Sequence, residues 1–397
     1  MDNQPDVRVR PSPFPLPGLQ GSEAKVKLSV MQENLAHGLQ VVSRAVPSRS
    51  TLPVLNNVLL RTEDGGLKLT ATNLEIGMTY WVPGKIEVDG ATTTPARLLT
   101  DLVAGLPANE VVNLELQAQE TLHIQAGPFE THVKGIDAEE FPAIPTAGEK
   151  PTTRIAQNVL REALGEVTFA AATDEARPIL TGVLARFDGT SLTLAAADNY
   201  RIAVRTIDML DPVEETSIVI PARSLDALAR VLSDADEPVS VSLSPARNQI
   251  LFHIEGVDLV SRLIDGQFPN YQQVMPKSWT TRAVVDRDRL LQAVRLASFI
   301  VSNTANIVKL HIGREAATGL TVTSTADIGD NQGEIEAQVE GDGTTIAFNA
   351  RYLMDVLSNV PAEQFAVELN GPLSPGVFRP VGQDQYVHVV MPVKTTS

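Results

Sequence analysis

Three observations predict an α+β chain built from three copies of one domain. The first is a short helical segment that appears three times: Pro95-Ala96-Arg97-Leu98-Leu99, Pro221-Ala222-Arg223-Ser224-Leu225 and Asn349-Ala350-Arg351-Tyr352-Leu353. Its Ala-Arg pairs start at positions 96, 222 and 350, almost evenly spaced. The second is an alternating, strand-like run at 67–72, answered at 192–197 and again at 320–325. The third is a repeated boundary: Ile136-Asp137 leads to Phe141-Pro142, and Ile264-Asp265 leads to Phe268-Pro269. One such match means little. Three at one period, in one order, mark a triplicated unit of helices among short strands.

Taken in order, residues 1–24 carry Pro5, Pro11, Pro13, Pro15 and Pro17 with no helical or strand period, and are expected to form a flexible extension. The first domain is expected over 25–148. It opens with a strand and a helix from about 31 to 46, whose apolar stripe is Leu35, Leu39, Val42 and Val46; Pro47 stops it. An extended run at 52–60 follows, then the strand at 67–72. The Ala-Arg helix buries Leu99, Leu102, Val103 and Leu106. Two alternating runs close the unit, through Val112, Leu114 and Leu116, and through Leu122 and Ile124.

The second domain, expected over 149–279, repeats this order. A helix spans about 157–171, and Pro178-Ile179-Leu180-Thr181-Gly182 stands where 53–57 stood. The stripe of its Ala-Arg helix is Leu225, Leu228 and Leu232, followed by Val239, Val241 and Leu243. The third domain, expected over 280–397, has a helix over 287–301, strands at 307–310 and 320–325, and a last helix with Leu353, Val356, Leu357 and Val360. Phe365, Val367 and Leu369 alternate next. The strand at 387–392 leaves apolar residues at a domain edge instead of leading into a linker.

Composition agrees with this plan. A chain of 397 residues is too long for one core, and 43% hydrophobic residues can fill three. No apolar run is long enough for a membrane span, and no signal peptide is expected. The absence of cysteine excludes disulfides and thiolate metal sites, so the cytoplasm is the expected location. A net charge of −16 argues against gripping nucleic acid with the whole surface, and leaves a local basic face open.

Catalytic motifs are missing: there is no G-x-x-x-x-G-K-[ST], strand-coupled G-x-G-x-x-G or H-E-x-x-H. The histidines (His37, His123, His132, His253, His311, His388) are scattered, with no pair at helical ligand spacing. Glu139-Glu140 reads as a solvated turn, and Asp198 with Arg201 as a local ion pair. Neither a catalytic residue, a metal nor a cofactor is expected.

Four stretches carry a family resemblance: Arg49-Ser50-Thr51-Leu52-Pro53-Val54-Leu55, Ala197-Asp198-Asn199-Tyr200-Arg201-Ile202-Ala203-Val204, Asp265-Gly266-Gln267-Phe268-Pro269-Asn270-Tyr271 and Val389-Val390-Met391-Pro392-Val393-Lys394. From about 25 to 394 the chain resembles the bacterial DNA polymerase III beta subunits, the sliding clamps. That resemblance implies a non-catalytic, head-to-tail homodimer closing a six-domain ring around duplex DNA, helices inside and sheets outside. It also implies tethering of the replicative polymerase, the clamp loader, repair polymerases and mismatch-repair proteins through short linear peptides.

The resemblance places a peptide pocket at Leu180, Ala197, Tyr200, Arg201, Ile202, Pro269, Val274, Asn349, Tyr352, Val389, Met391, Pro392 and Val393, with Arg201 and the Tyr hydroxyls as orienting polar groups. It points Arg223 and Arg230 into the hole, with Arg49, Arg97 and Arg351 as further DNA-facing candidates. It pairs Ile300 and Val301 of one subunit with Phe129 and Val133 of the other. Ala197 and Gln273 stand where the family often has Thr and Arg, and Asp174 where the repeat would place a counterpart of Arg49. Two other readings stay open on sequence: an acidic three-repeat protein-binding scaffold that does not encircle DNA, and an enzyme with a site assembled between domains.

Overall fold

A computed structural model describes residues 26–145, 151–302, 305–313 and 319–394; the proline-punctuated extension and the boundary expected at 148 lie outside them. The first unit contains β1 (Lys27–Met31), α1 (Gln32–Val42), β2 (Asn57–Glu63), β3 (Gly66–Thr72), β4 (Ile76–Val88), β5 (Ala91–Pro95), α2 (Ala96–Gly105), β6 (Val111–Gln117), β7 (Thr121–Ala126) and β8 (Phe129–Lys134). The second contains β9 (Thr153–Ile155), α3 (Gln157–Val167), β10 (Gly182–Ala197), β11 (Arg201–Pro221), α4 (Ala222–Ala229), β12 (Val239–Leu243), β13 (Gln249–Ile254) and β14 (Val257–Arg262). The third contains β15 (Thr281–Asp286), α5 (Arg287–Val301), β16 (Ile307–Ile312), β17 (Gly319–Ala326), β18 (Gly329–Gly341), β19 (Thr344–Asn349), α6 (Ala350–Asn359), β20 (Gln364–Leu369), β21 (Gly376–Pro380) and β22 (Tyr386–Val390).

The helices follow their apolar stripes. Leu99 and Val103 of α2, Leu225 and Leu228 of α4, and Leu353, Val356 and Leu357 of α6 are buried. Each such side chain contributes about 1.5–3 kcal/mol by leaving water. Residues 53–56 and 178–181, expected to be extended, instead form single 3-10 turns. In both a proline fixes φ at the first position, and a tight backbone bond follows: Leu55 donates to Leu52 at 3.1 Å and Leu180 to Arg177 at 3.0 Å. The helices expected to reach 46 and 171 also tighten into 3-10 turns, after Val42 and Val167. β11 is far longer than the sequence suggests, because its middle carries Asp208, Asp211, Glu214 and Glu215 and lacks an apolar run.

Two antiparallel sheets form. One has the path β8-β7-β6-β1-β4-β14-β13-β12-β9 with β2, β3 and β5 beside it; the other runs β10-β11-β22-β21-β20-β15-β18-β17-β16-β19. Both cross a boundary between units. β14 of the second unit pairs with β4 of the first, placing Val260 opposite Gly77. β22 of the third pairs with β11 of the second, placing Val389 opposite Ile202. The last strand of a unit thus pairs with the unit before it. Helices cover one face of these sheets, and α3 touches α6 across the second seam. The main core lies under the helices, while two smaller apolar clusters lie on the opposite face.

Candidate functional site

The larger of those outer clusters sits at the seam between the second and third units. Along β11 the side chains alternate, so Ala203 joins the helix-side core while Ile202 and Val204 point outward. Leu180, Ala197, Ile202 and Val389, drawn from four separate segments, meet there with Phe268 and Val387. They form a floor that is nearly covered, each no more than 8% exposed. Around it Tyr200, Pro269, Val274 and Met391 are exposed, and Asn349, Tyr352, Pro392 and Val393 are half-buried. Tyr200 stacks on Tyr352 across the seam, ring centroids 5.7 Å apart. The segment after β22 is tied to both units: Met391 N–H donates to the Tyr200 carbonyl and Val393 N–H to the Ala347 carbonyl, each at 2.8 Å. The arrangement is an apolar seam with an aromatic and methionine rim on the outer face of the sheet.

Arg201, expected as an orienting polar group, is engaged within the seam. It is 8% exposed. Its Nε donates to Asp198 at 3.2 Å, one terminal nitrogen donates to Asp355 of α6, and the other donates to the Phe169 carbonyl at 2.8 Å. Its guanidinium also covers the Tyr352 ring at 4.8 Å. With its donors engaged this way, Arg201 clamps the seam from beneath. Asn349 is likewise engaged, since its side chain caps α6 by accepting from Arg351 N–H at 2.9 Å.

Below Arg201 lies a buried polar group that sequence spacing did not reveal. Tyr386 donates to the Glu166 carbonyl at 3.2 Å and lies 3.3 Å from His388 Nδ1. The Glu166 carboxylate lies 3.2 Å from Arg205. Burial pushes Glu166 up despite Arg205, and pushes His388 down to about 3, with the Arg201 charge adding to the effect.

The first seam has its own outer apolar cluster, and it is covered. Val54, Leu55, Leu59 and Phe141 form the matching outer cluster, with Ile144 packed on it. Gly77 occupies the place of Ile202, and the linker residue Ile144 lies over it: a β-carbon at Gly77 would sit 2.9 Å from Ile144 Cγ2.

The candidate DNA-facing arginines Arg49, Arg97, Arg223, Arg230 and Arg351 are all exposed. Arg97, Arg223 and Arg351 hold the same second position of α2, α4 and α6. Arg223 is ion-paired with Glu75 of the first unit, and Arg230 caps the end of α4 just outside the helix. Burial lowers the pKa of Arg44, and Arg230 lowers it further, so the first seam gathers two cations that the sequence did not place together.

The expected interface residues divide. Phe129 on β8 is 52% exposed, whereas Val133 and Val301 are 4% and 2% exposed and belong to the cores of their own units. Ile300 is half-buried against the core. The exposed apolar residues of α5 include Leu296 and Phe299, and Ile328 is exposed in the turn just before β18. An open cleft of about 1170 Å³ runs between α5 and β18, lined by Leu296 and Gln292 among others.

Three like units, joined edge to edge with helices on one face and an apolar seam on the other, define a clamp-type protein. Models of the DNA polymerase III beta subunit match the chain throughout: the N-terminal domain at 26–145, the central domain at 154–270 and the C-terminal domain at 272–394. The beta sliding clamp of Synechococcus elongatus is 34% identical over 377 residues, covering 94% of this chain and all of that protein. The DNA polymerase sliding clamp of Bacillus subtilis superposes with a TM-score of 0.88 at 29% identity, over 94% of this chain and all of that one. A Pseudomonas aeruginosa sliding clamp bound to griselimycin gives 0.85 at 28% identity, over 93% of this chain and all of that one. The chain belongs to the DNA polymerase III beta subunit family, the bacterial sliding clamps.

Proposed function

We propose that two copies of this chain close head to tail into a ring around duplex DNA and tether the replicative polymerase, the clamp loader and repair proteins to it. The ring itself catalyses nothing. One observation carries this reading. The last strands of the second and third units, β14 and β22, each pair with the preceding unit, but among the described residues β8, the last strand of the first, pairs only with β7. At the other end, residues 329–336 of β18 pair, among the described residues, only with β17. Each chain therefore keeps one free edge of each kind, and a second copy satisfies both by repeating the contact used at the two internal seams.

Topology then replaces affinity, so base-reading contacts are unnecessary and weak phosphate contacts from the helix arginines favour sliding. Partner peptides bind in the groove over Leu180, Ile202 and Val389. The test is retention on DNA: protein loaded on nicked circular duplex stays bound through gel filtration and is lost after linearisation. Equal behaviour on both forms favours the acidic scaffold, which a net charge of −16 would also suit. Removing residues 391–397 is expected to weaken peptide binding by about 2 kcal/mol or more, as a peptide anchor loses its wall. Fluorescence polarisation of a labelled peptide reads this directly.

A further inference from the structure

We propose that the β7–β8 hairpin holds a divalent transition-metal ion of the zinc type, through His123, His132 and Glu130. His123 and His132 are direct register partners across the hairpin, their rings stacked 4.6 Å apart. Glu130 lies two residues before His132 on the same strand, hence on the same face. Three donor atoms of this trio lie within 4.8 Å of one another. His123 Nε2 stands 2.8 Å from Glu130 Oε1, yet it is buried without an aligned hydrogen-bond partner. The imidazole and the carboxylate therefore already meet on this face, within reach of one ion.

Zinc ligands at about 2.0–2.2 Å from the metal stand roughly 3.3–3.5 Å from each other, so binding requires the stacked rings to turn out of parallel until both nitrogens face the ion. Two imidazoles and a carboxylate favour zinc or its neighbours over magnesium and calcium, which prefer oxygen alone. Glu115 of β6 is the register partner of His123 on its other side and places a second carboxylate on this face.

The position gives the site a consequence. His123 and His132 alternate with buried Leu122, Ile124 and Val133, so the cluster lies on the outer sheet face, and β8 is the free edge. By the repeat, His132 holds the place of Val260 and Val389, whose partners are Gly77 and Ile202. Asp330 holds the place of Ile202 in the third unit. In the closed ring, Asp330 of the partner subunit therefore faces His132 and supplies a fourth ligand, so the ion braces the seam between subunits. This last step rests on the ring reading; the three-residue site does not.

The experiment is calorimetric titration of the untagged, chelator-stripped full chain with zinc chloride. One ion per chain is expected, with binding weakened at least tenfold in His123→Ala and in His132→Ala, and no heat from magnesium at equal concentration. Circular dichroism keeps misfolding distinguishable. Absence of saturable binding, or wild-type affinity in both histidine variants, overturns the proposal. Asp330→Ala is expected to weaken binding in the dimer about tenfold; unchanged binding in a confirmed dimer overturns the fourth ligand. Failure of the ring reading appears separately, as a monomer by sedimentation that still loses zinc in the histidine variants.

Discussion

Arg201 satisfies Asp198, Asp355 and the Phe169 carbonyl at once, so its removal leaves two carboxylates and a carbonyl short of a partner at the seam. Arg201→Ala is expected to cost about 3 kcal/mol, read as a lower urea midpoint, because breaking a buried pair leaves the other charge uncompensated. His388 makes a prediction in pH. Its folded pKa lies near 3, below the ordinary 6.5, so the unfolded chain binds the extra proton between those values. Its contribution is present above pH 6.5 and is lost as pH falls toward 3, at up to about 1.4 kcal/mol per pH unit. His388→Leu is expected to flatten that part of the stability–pH curve, measured by denaturation at pH 7.0, 6.0 and 5.0. Little of this was legible in the sequence. Leu180, Ala197, Ile202 and Val389 could be placed by resemblance, but the Asp355 partner of Arg201 sits 154 positions away. His123 and His132 read as structural strand residues in the sequence, because their pairing across the hairpin depends on register and not on linear distance.

Elements carry the assembly. The amphipathic helices were readable because burial imposes a 3.6-residue period on Leu and Val, and α5 matches its expected bounds of 287–301. Strands were harder. β10 and β11 run on through a polar middle, held by pairing with each other from Gly182–Pro221 to Ala197–Ile202, and pairing leaves no mark on composition. The free edges of β8 and β18 are likewise invisible until the register is known. They also change which residues to test. Charging Val301 would wreck a core, whereas Phe129 and Leu296 are 52% and 49% exposed. Phe129→Asp with Leu296→Asp is expected to yield monomers in sedimentation velocity, with each change within about 0.5 kcal/mol in chain stability. A dimer that persists would place the contact elsewhere.

For the whole molecule, an acidic total stands against a set of exposed arginines on and beside the helices. Counterion release decides how they combine, since each phosphate neutralised steepens the salt dependence by about 0.9. Arg97→Gln with Arg230→Gln is expected to make the slope of log affinity against log salt shallower by about 2. Arg223→Gln is expected to do less, because Glu75 already answers that charge. Titration of duplex at several salt concentrations separates the two.

Ile144 over Gly77 bears on valency. The repeat builds matching outer apolar clusters at both internal seams, and at the first a linker side chain, Ile144, lies over Gly77. In the proposed ring, two of the four internal seams would carry such a linker cover and two would not. On that proposal, partners would share the uncovered seams, and a linker side chain would set how many the ring can hold.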